Sequence, residues 1–305
     1  MTVASPHVPV MLDETLRFLA PESGKTYVDA TLGAGGHAEA ILTACAPDGE
    51  LIGIDQDPSA LALVQQRLMK SRSRATLVHG AFGDVGEILR RLGKRRVHGL
   101  VADLGVSSMQ VDTPERGFSF AADGPLDMRM NRNAGPTARD LLAARSEEEL
   151  ADLLYQLGDE RRSRAIARSI KRALAKGELA TTADLRRAVV RVLGPRRRGS
   201  DPATRTFLAI RIAVNGELDQ LQALLAVLAE VLEDGAVAVI ITFHSIEDRI
   251  VKHALRGNDH LLPLTKKPVI PTDEEVARNP RSRSAKLRAA RRVTREVESD
   301  REVAA

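Results

Sequence analysis

A single cysteine, Cys45, in a chain of 305 residues excludes an intramolecular disulfide and a zinc site built on several cysteines, and it suits a reducing compartment. Tryptophan is absent, and 6 Phe with 2 Tyr are too few for an extended aromatic platform on which single-stranded nucleic acid would stack. No stretch approaches the roughly 18 uninterrupted apolar residues of a membrane span. Residues 1–9 lack a basic segment followed by an apolar run, so no secretory signal is expected there. These absences lead to the expectation of a cytoplasmic chain with no membrane contact and no metal site. What is present, 43% hydrophobic residues over this length, fills one large α/β domain with an insertion, or two small domains.

A net charge of +4 hides very unequal regions. Residues 161–211 hold 15 Lys/Arg against Glu178, Asp184 and Asp201, and residues 278–295 hold 8 Lys/Arg and no acid. The remainder therefore carries a net charge of −16, so two basic blocks stand out from an acidic body. That distribution is the footprint of a polyanion partner, with solvated helix faces as the alternative.

Short β-branched runs alternate with helical patterns over the first hundred residues, as in a parallel sheet with crossover helices. Strands are predicted at 27–32, 51–55, 75–79 and 97–104, and helices at 38–44 and 58–70. A fifth strand, 236–243, is a continuous apolar run of the kind buried on both faces. About 130 residues separate strands four and five, far more than one crossover helix needs, so a helical domain is inserted there. Ser146 with Glu149 opens a helix that stops near Gly158, and Thr181 with Asp184 opens another. Ile166, Ile170 and Leu174 form an apolar stripe beside Arg164, Arg168 and Arg172. Asp201-Pro202 reads as a capping acid before a first-turn proline, and the helical spacing that follows runs from Phe207 to Gly235 with a break at Asn215-Gly216.

The strongest local signal is Val28-Asp29-Ala30-Thr31-Leu32-Gly33-Ala34-Gly35-Gly36-His37-Ala38, a strand running into a glycine-rich turn that opens a helix. Glycines there let the backbone turn sharply and approach a nucleotide closer than a Cβ permits. Gly33, Gly35 and Ala38 also satisfy the dinucleotide pattern, so the loop alone does not separate NAD from S-adenosylmethionine, and a plain tight turn is a further alternative. Asp55 ends the second strand 20 residues after Gly35, where an acid accepts hydrogen bonds from both ribose hydroxyls. The alternative for Asp55 is a cap on the helix that begins at Pro58, a role Asp57 also fits. Phe82 is either an apolar wall for adenine or a core aromatic.

Ala102-Asp103-Leu104-Gly105-Val106-Ser107-Ser108, Gln110, Glu115-Arg116-Gly117-Phe118-Ser119-Phe120 and Asp123-Gly124-Pro125-Leu126-Asp127-Met128-Arg129-Met130 resemble segments of the ribosomal RNA small subunit methyltransferase H (MraW) family. His7-Val8-Pro9-Val10-Met11-Leu12-Asp13-Glu14, Pro202-Ala203-Thr204-Arg205-Thr206-Phe207, Phe243-His244-Ser245-Ile246-Glu247-Asp248-Arg249 and the block from Asn279 through Arg288 follow in the family's order. The resemblance thus spans nearly the whole chain. It implies a Rossmann-like class I S-adenosylmethionine methyltransferase sheet, with 1–111 and 216–305 forming the methyltransferase domain and 112–215 an inserted helical RNA-recognition domain between strands four and five. It implies N4-methylation of a cytosine in 16S ribosomal RNA, within the assembled small ribosomal subunit, and it admits a homodimer. Carried over by position, Gly35, Gly36 and His37 match the cofactor loop, Asp55 the ribose-binding acid, and Phe82, Asp103 and Gln110 the remaining cofactor contacts. Asp201, Leu208 and Met109 depart from the His, Gln and Pro usual at those places; the first two bear on RNA contacts more than on chemistry.

Methylation of an amine by a sulfonium needs placement and exclusion of water, and no covalent cysteine. Asp103, at the C-terminal end of strand four, is the expected catalytic residue. Its carboxylate either accepts hydrogen bonds from the amine as charge develops or holds the cofactor's methionine end. Arg116, Phe118, Asp127 and Arg129 either shape the base pocket or pack the loop, and His244 is given no catalytic role. A cytosine stacked in folded RNA must be turned out to react, and Arg196, Arg197 and Arg198 are the foremost phosphate contacts expected in the insertion. An NAD-dependent dehydrogenase and a non-catalytic RNA-assembly factor are the rival readings; the intact glycine loop and the whole-chain match weigh against the second.

Overall fold

Each β-branched run picked out above becomes a strand in the computed structural model, which describes residues 9–195 and 201–294. Arg196, Arg197 and Arg198, the residues 7 and 8 of the first family segment, and Arg295 of the second basic block lie outside the described residues. By its own contacts the chain divides into two compact units, one of residues 1–105 and 220–305 and the other of residues 106–219. The boundaries read from sequence were 111/112 and 215/216.

In chain order the first stretch is α1 (Leu12–Leu19), β1 (Thr26–Asp29), α2 (Gly36–Ala44), β2 (Glu50–Asp55), α3 (Pro58–Arg67), β3 (Ala75–His79), α4 (Val85–Arg91) and β4 (Val97–Asp103). Next come α5 (Ser108–Asp112), α6 (Ala138–Ala144), α7 (Glu147–Gly158), α8 (Ser163–Ala175), α9 (Thr182–Leu193) and α10 (Thr204–Asn215). The chain then continues through α11 (Glu217–Val231), β5 (Leu232–Thr242), α12 (Ser245–Gly257), β6 (Leu261–Pro263), α13 (Asp273–Arg278) and β7 (Lys286–Arg292).

The first unit is the expected class I type of doubly wound sheet, ordered β3-β2-β1-β4-β5-β7-β6. Neighbours from β3 to β5 are parallel, and β7 runs antiparallel to both β5 and β6. Alternation along each strand feeds two cores. Val28, Ile52, Leu100 and Ile240 pack with Ile88 of α4, Leu228 of α11 and Val251 of α12 on one face. Leu51, Val101, Val239 and Ile241 pack with Leu19 of α1, Ile41 of α2 and Val64 of α3 on the other. Burial on both faces explains why β5 reads as an unbroken apolar run. That strand starts earlier than the sequence suggests, because the helix before it ends at Val231 and Leu232 already pairs with Val97. Beyond β1, the Ala30 and Leu32 N–H groups still donate to Val101 and Ile54 carbonyls at 2.9 Å, which is why the run reads as a strand to residue 32.

Part of the second basic block turns inward at β7. The second basic block was read as a polyanion footprint, yet its core is an interior strand of the sheet. Arg288 is buried and donates to Asp248 at 2.7 Å, Lys286 lies 3.5 Å from the same carboxylate, and Arg292 donates to the Ala229 carbonyl and pairs with Asp234. Burial pulls the Asp248 carboxyl up, but Arg288 and Lys286 pull harder and hold it below the usual carboxylate range. Charge density along a sequence cannot distinguish exposed arginines from arginines spent on internal pairs; Arg278, Arg281, Arg283 and Arg291 are the block's exposed members among the described residues.

The second unit is helical, with its own core of Leu142, Leu150, Leu154, Ile166, Ile170, Leu185 and Ile210 among others. Both capping boxes read from sequence are made, Ser146 with Glu149 and Thr181 with Asp184, and Thr137 with Asp140 forms a third. Helix α10 departs from expectation: it begins at Thr204 behind an Ala203 cap, not behind Asp201. The Asp201 carboxylate instead holds the Arg186 guanidinium through two bonds of 3.0 and 2.8 Å and accepts from the Ala203 N–H at 2.9 Å. The chain does break at Asn215-Gly216, where Gly216 turns left-handed at φ 60°.

Candidate active site

The carboxyl ends of β1, β2 and β4 bring the first unit's acids together with its glycine bend. Gly33 and Gly35 adopt φ of 51° and 79°, conformations that exclude ordinary side chains. Space forbids them as well: a Cβ on Gly35 would lie 2.8 Å from a Val64 methyl, and one on Gly36 2.8 Å from the Pro9 ring. The bend is tied to Asp55, whose two carboxylate oxygens accept from the Gly33 and Asp57 N–H groups at 2.8 Å each. Asp55 is thus free of the capping duty that was its alternative, because Asp57 caps α3 by accepting from the Ser59 N–H at 3.0 Å. Burial pushes the Asp55 carboxyl up to about 6, against the pull of those two N–H donors. Each oxygen retains a lone pair for a further donor such as a ribose hydroxyl.

Asp103 closes β4 on the face that carries α2. Its N–H donates to the Thr31 hydroxyl at 2.6 Å, one carboxylate oxygen lies 3.6 Å from Nε2 of His37, and the other is buried with no hydrogen-bond partner among the described residues. His37 sits in the first turn of α2 and is 5% exposed. Burial pulls its pKa down, but Asp103 first, then Asp29 and the Val10 backbone, more than offset this and leave it above the ordinary imidazole value.

Asp29 is the residue the sequence reading passed over. It ends β1, is 1% exposed, and accepts from the Thr31 N–H at 3.2 Å with one oxygen while the other has no partner among the described residues. Burial pushes its carboxyl up to about 6. The motif quoted for the bend contains it, yet only the fold reveals that this strand-end acid is enclosed.

Gly35, Gly36, His37, Asp55 and Asp103 are therefore gathered at one end of the sheet of the first unit. Phe82 lies in a one-turn helix after β3 and packs, half buried, against the core with Val78, as its core reading requires. Gln110 belongs to the second unit, where it is buried and forms a reciprocal cap with Ser107 at the start of α5.

Three further residues of the second unit pack their own loop. Arg116 is buried and donates to the carbonyls of Arg129 and Met130 at 3.0 and 2.8 Å. Asp127 receives Arg129 through bonds of 2.7 and 2.9 Å; burial raises its pKa, but Arg129 outweighs this and holds the carboxyl low. Gly117 and Gly124 are required there, since a Cβ would lie 2.2 Å from the Pro125 carbonyl oxygen in one case and 1.9 Å from that of Pro114 in the other. In the first unit, His244 is structural: it caps α12, with the Glu247 carboxylate accepting from the Phe243 N–H at 2.9 Å.

A bare-backbone bend, an adjacent acceptor carboxylate and four buried polar atoms without partners among the described residues, on Asp29, His37 and Asp103, suit a polar nucleoside-type cofactor that brings its own donors and charge. Comparison with known proteins points the same way. The model of the MraW methylase family matches residues 4–293. The chain is 58% identical over 288 residues to the ribosomal RNA small subunit methyltransferase H of Sorangium cellulosum, covering 94% of this chain and 91% of that protein. It is 45% identical over 314 residues to the protein of the same name from Bradyrhizobium diazoefficiens, covering 97% and 94%.

Proposed function

The chain belongs to the MraW methylase family, and from that premise we propose that it methylates the N4 amine of one cytosine in 16S ribosomal RNA, using S-adenosylmethionine. The observation that carries the reading is the hydrogen bond between Asp55 and the Gly33 N–H, which joins the ribose-binding acid to the glycine bend at the sheet end that also holds Asp103. When bound, S-adenosylmethionine supplies a methyl group already activated by its sulfonium. Asp55 would accept from the ribose hydroxyls, and the bend from Gly33 to Gly36 would let the backbone approach the nucleoside. A cytosine amine is a weak nucleophile because its lone pair is delocalised into the ring. The Asp103 carboxylate, accepting from an amine hydrogen, favours pyramidal nitrogen as charge develops there; holding the methionine end is its alternative duty. No cysteine is needed, and Cys45 is buried with its thiol pushed up by burial.

The setting is the cytoplasm, the substrate is the assembled small subunit, and the active species is compatible with a homodimer. Incubation with methyl-labelled S-adenosylmethionine and small subunits, followed by mass spectrometry of the RNA, tests the reaction. Label on a cytosine amine supports it; label on a ring carbon or a ribose oxygen refutes it.

With Lys286, Arg288 and Arg292 of the second basic block held in internal pairs, the first block carries most of the proposed RNA contacts. On α8, Arg164, Arg168 and Arg172 recur every four residues and are exposed, as is Lys176 just past the helix end, and Arg168 also lies 3.1 Å from Glu147. Replacing the three arginines by alanine is expected to weaken small-subunit binding about tenfold in moderate salt and to flatten the salt dependence by about two to three phosphate contacts. An unchanged salt slope in a filter-binding titration would remove this helix from the interface.

A further inference from the structure

Asp29, His37 and Asp103 form a set that the proposed reaction does not by itself explain. In the parallel register Asp29 lies opposite Val101, and Asp103 follows two residues on, so the pleat directs both carboxylates to the face of the sheet that packs against α2. Thr31 links the two acids, giving its N–H to Asp29 and accepting the Asp103 N–H at its hydroxyl. His37 stands 3.6 Å from Asp103, and the polar groups that act on its ring, namely Asp103, Asp29 and the Val10 backbone, all favour the charged form. A cation here is opposed twice, by burial and by its place in the first turn of α2, where the helix dipole repels positive charge. Asp103 is the nearer counterweight to both, and Asp29, on the same face of the sheet, adds a second.

Building on the cofactor site described above, and on the duty of Asp103 in holding the cofactor's methionine end, we propose that Asp29 is a positioning residue: its charge keeps His37 an imidazolium, and the imidazolium fixes the orientation of the Asp103 carboxylate for the cationic cofactor. Asp29 contributes no direct contact in this scheme. Its own charge is governed by burial, by His37 and by the neighbouring Asp55 and Asp103 carboxylates. As pH rises, His37 loses its proton, Asp103 loses its anchor, and affinity for S-adenosylmethionine declines. Removing the Asp29 charge moves that decline to lower pH.

The test is an NMR titration of the His37 ring in the cofactor-free chain, assigned with His37→Gln, alongside calorimetric binding of S-adenosylmethionine at several pH values. In the native chain the His37 midpoint is expected above the ordinary imidazole value. In Asp29→Asn it falls by at least about one pH unit, a tenfold change in the ratio of charged to neutral ring. The pH at which cofactor affinity declines falls by the same interval. A residue that merely packs would shift stability and leave both midpoints in place, and that result overturns the proposal. Should Asp29→Asn not fold, Asp29→Ser is titrated in its place: a lowered His37 midpoint supports the proposal, and an unmoved one overturns it. Absence of S-adenosylmethionine binding to the native chain at every pH would defeat the functional reading, whereas binding with pH dependence indifferent to Asp29 defeats this inference alone.

Discussion

Replacing Asp103 by alanine is expected to lower turnover by about 10²–10³-fold while leaving the fold intact, the scale of losing one preorganised electrostatic partner of a transition state. The fold survives because the Asp103 side chain satisfies no backbone donor among the described residues; its N–H bond to Thr31 is unaffected by truncation. Calorimetry separates the two duties open to this carboxylate. If it accepts from the amine, turnover falls with S-adenosylmethionine affinity unchanged; if it holds the methionine end, affinity falls too. Asp103→Asn keeps one acceptor oxygen and is expected to fall between alanine and the native residue. Full turnover in Asp103→Ala would remove the residue from the site.

Asp55→Ala is expected to have the largest effect on cofactor affinity, raising the Kd for S-adenosylmethionine about 10²-fold or more. Two charge-assisted hydrogen bonds to ribose hydroxyls, each worth about 1.5–3 kcal/mol, set that scale. The substitution also leaves the Gly33 N–H without its 2.8 Å partner, so the bend loosens and the effect compounds. The native protein carries a pH signature of the same residue. Only the ionised carboxylate accepts from both hydroxyls, and burial sets its pKa at about 6 in the cofactor-free state. Affinity from this acid is therefore full at pH 7 and above and declines as pH falls through about 6. This is opposite in direction to the high-pH decline assigned to His37, so binding should peak between the two. A Kd that is flat from pH 5 to pH 8 would contradict the role given to Asp55.

Much of this site is local in the chain and could be read there. Gly33 to His37 is one uninterrupted turn, and Asp55 is marked by its place at a strand end followed by a helix cap. Asp103 is marked in the same way, as the acid closing a strand. β1, β2, β4 and β5 were legible because burial on both faces leaves nearly unbroken apolar runs, whereas the edge strand β3 was marked by its β-branched residues. What was hidden is what depends on three dimensions. In β7, Arg288 and Arg292 are neutralised by Asp248 and Asp234, residues 40 or more positions away, so the strand's sequence reads as a charged surface. Asp29 looks like any strand-end acid until the neighbouring strand and α2 enclose it. Asp201 next to Pro202 mimics a helix cap, and only the approach of Arg186 shows another use for the carboxylate.

A crystal structure of the chain with S-adenosylmethionine bound tests the central claim most directly. The account predicts both ribose hydroxyls on the Asp55 carboxylate, the nucleoside against the bare backbone of Gly33 to Gly36, and the cationic end of the cofactor turned towards Asp103. A cofactor bound elsewhere, or one that leaves Asp55 and Asp103 untouched, would contradict it.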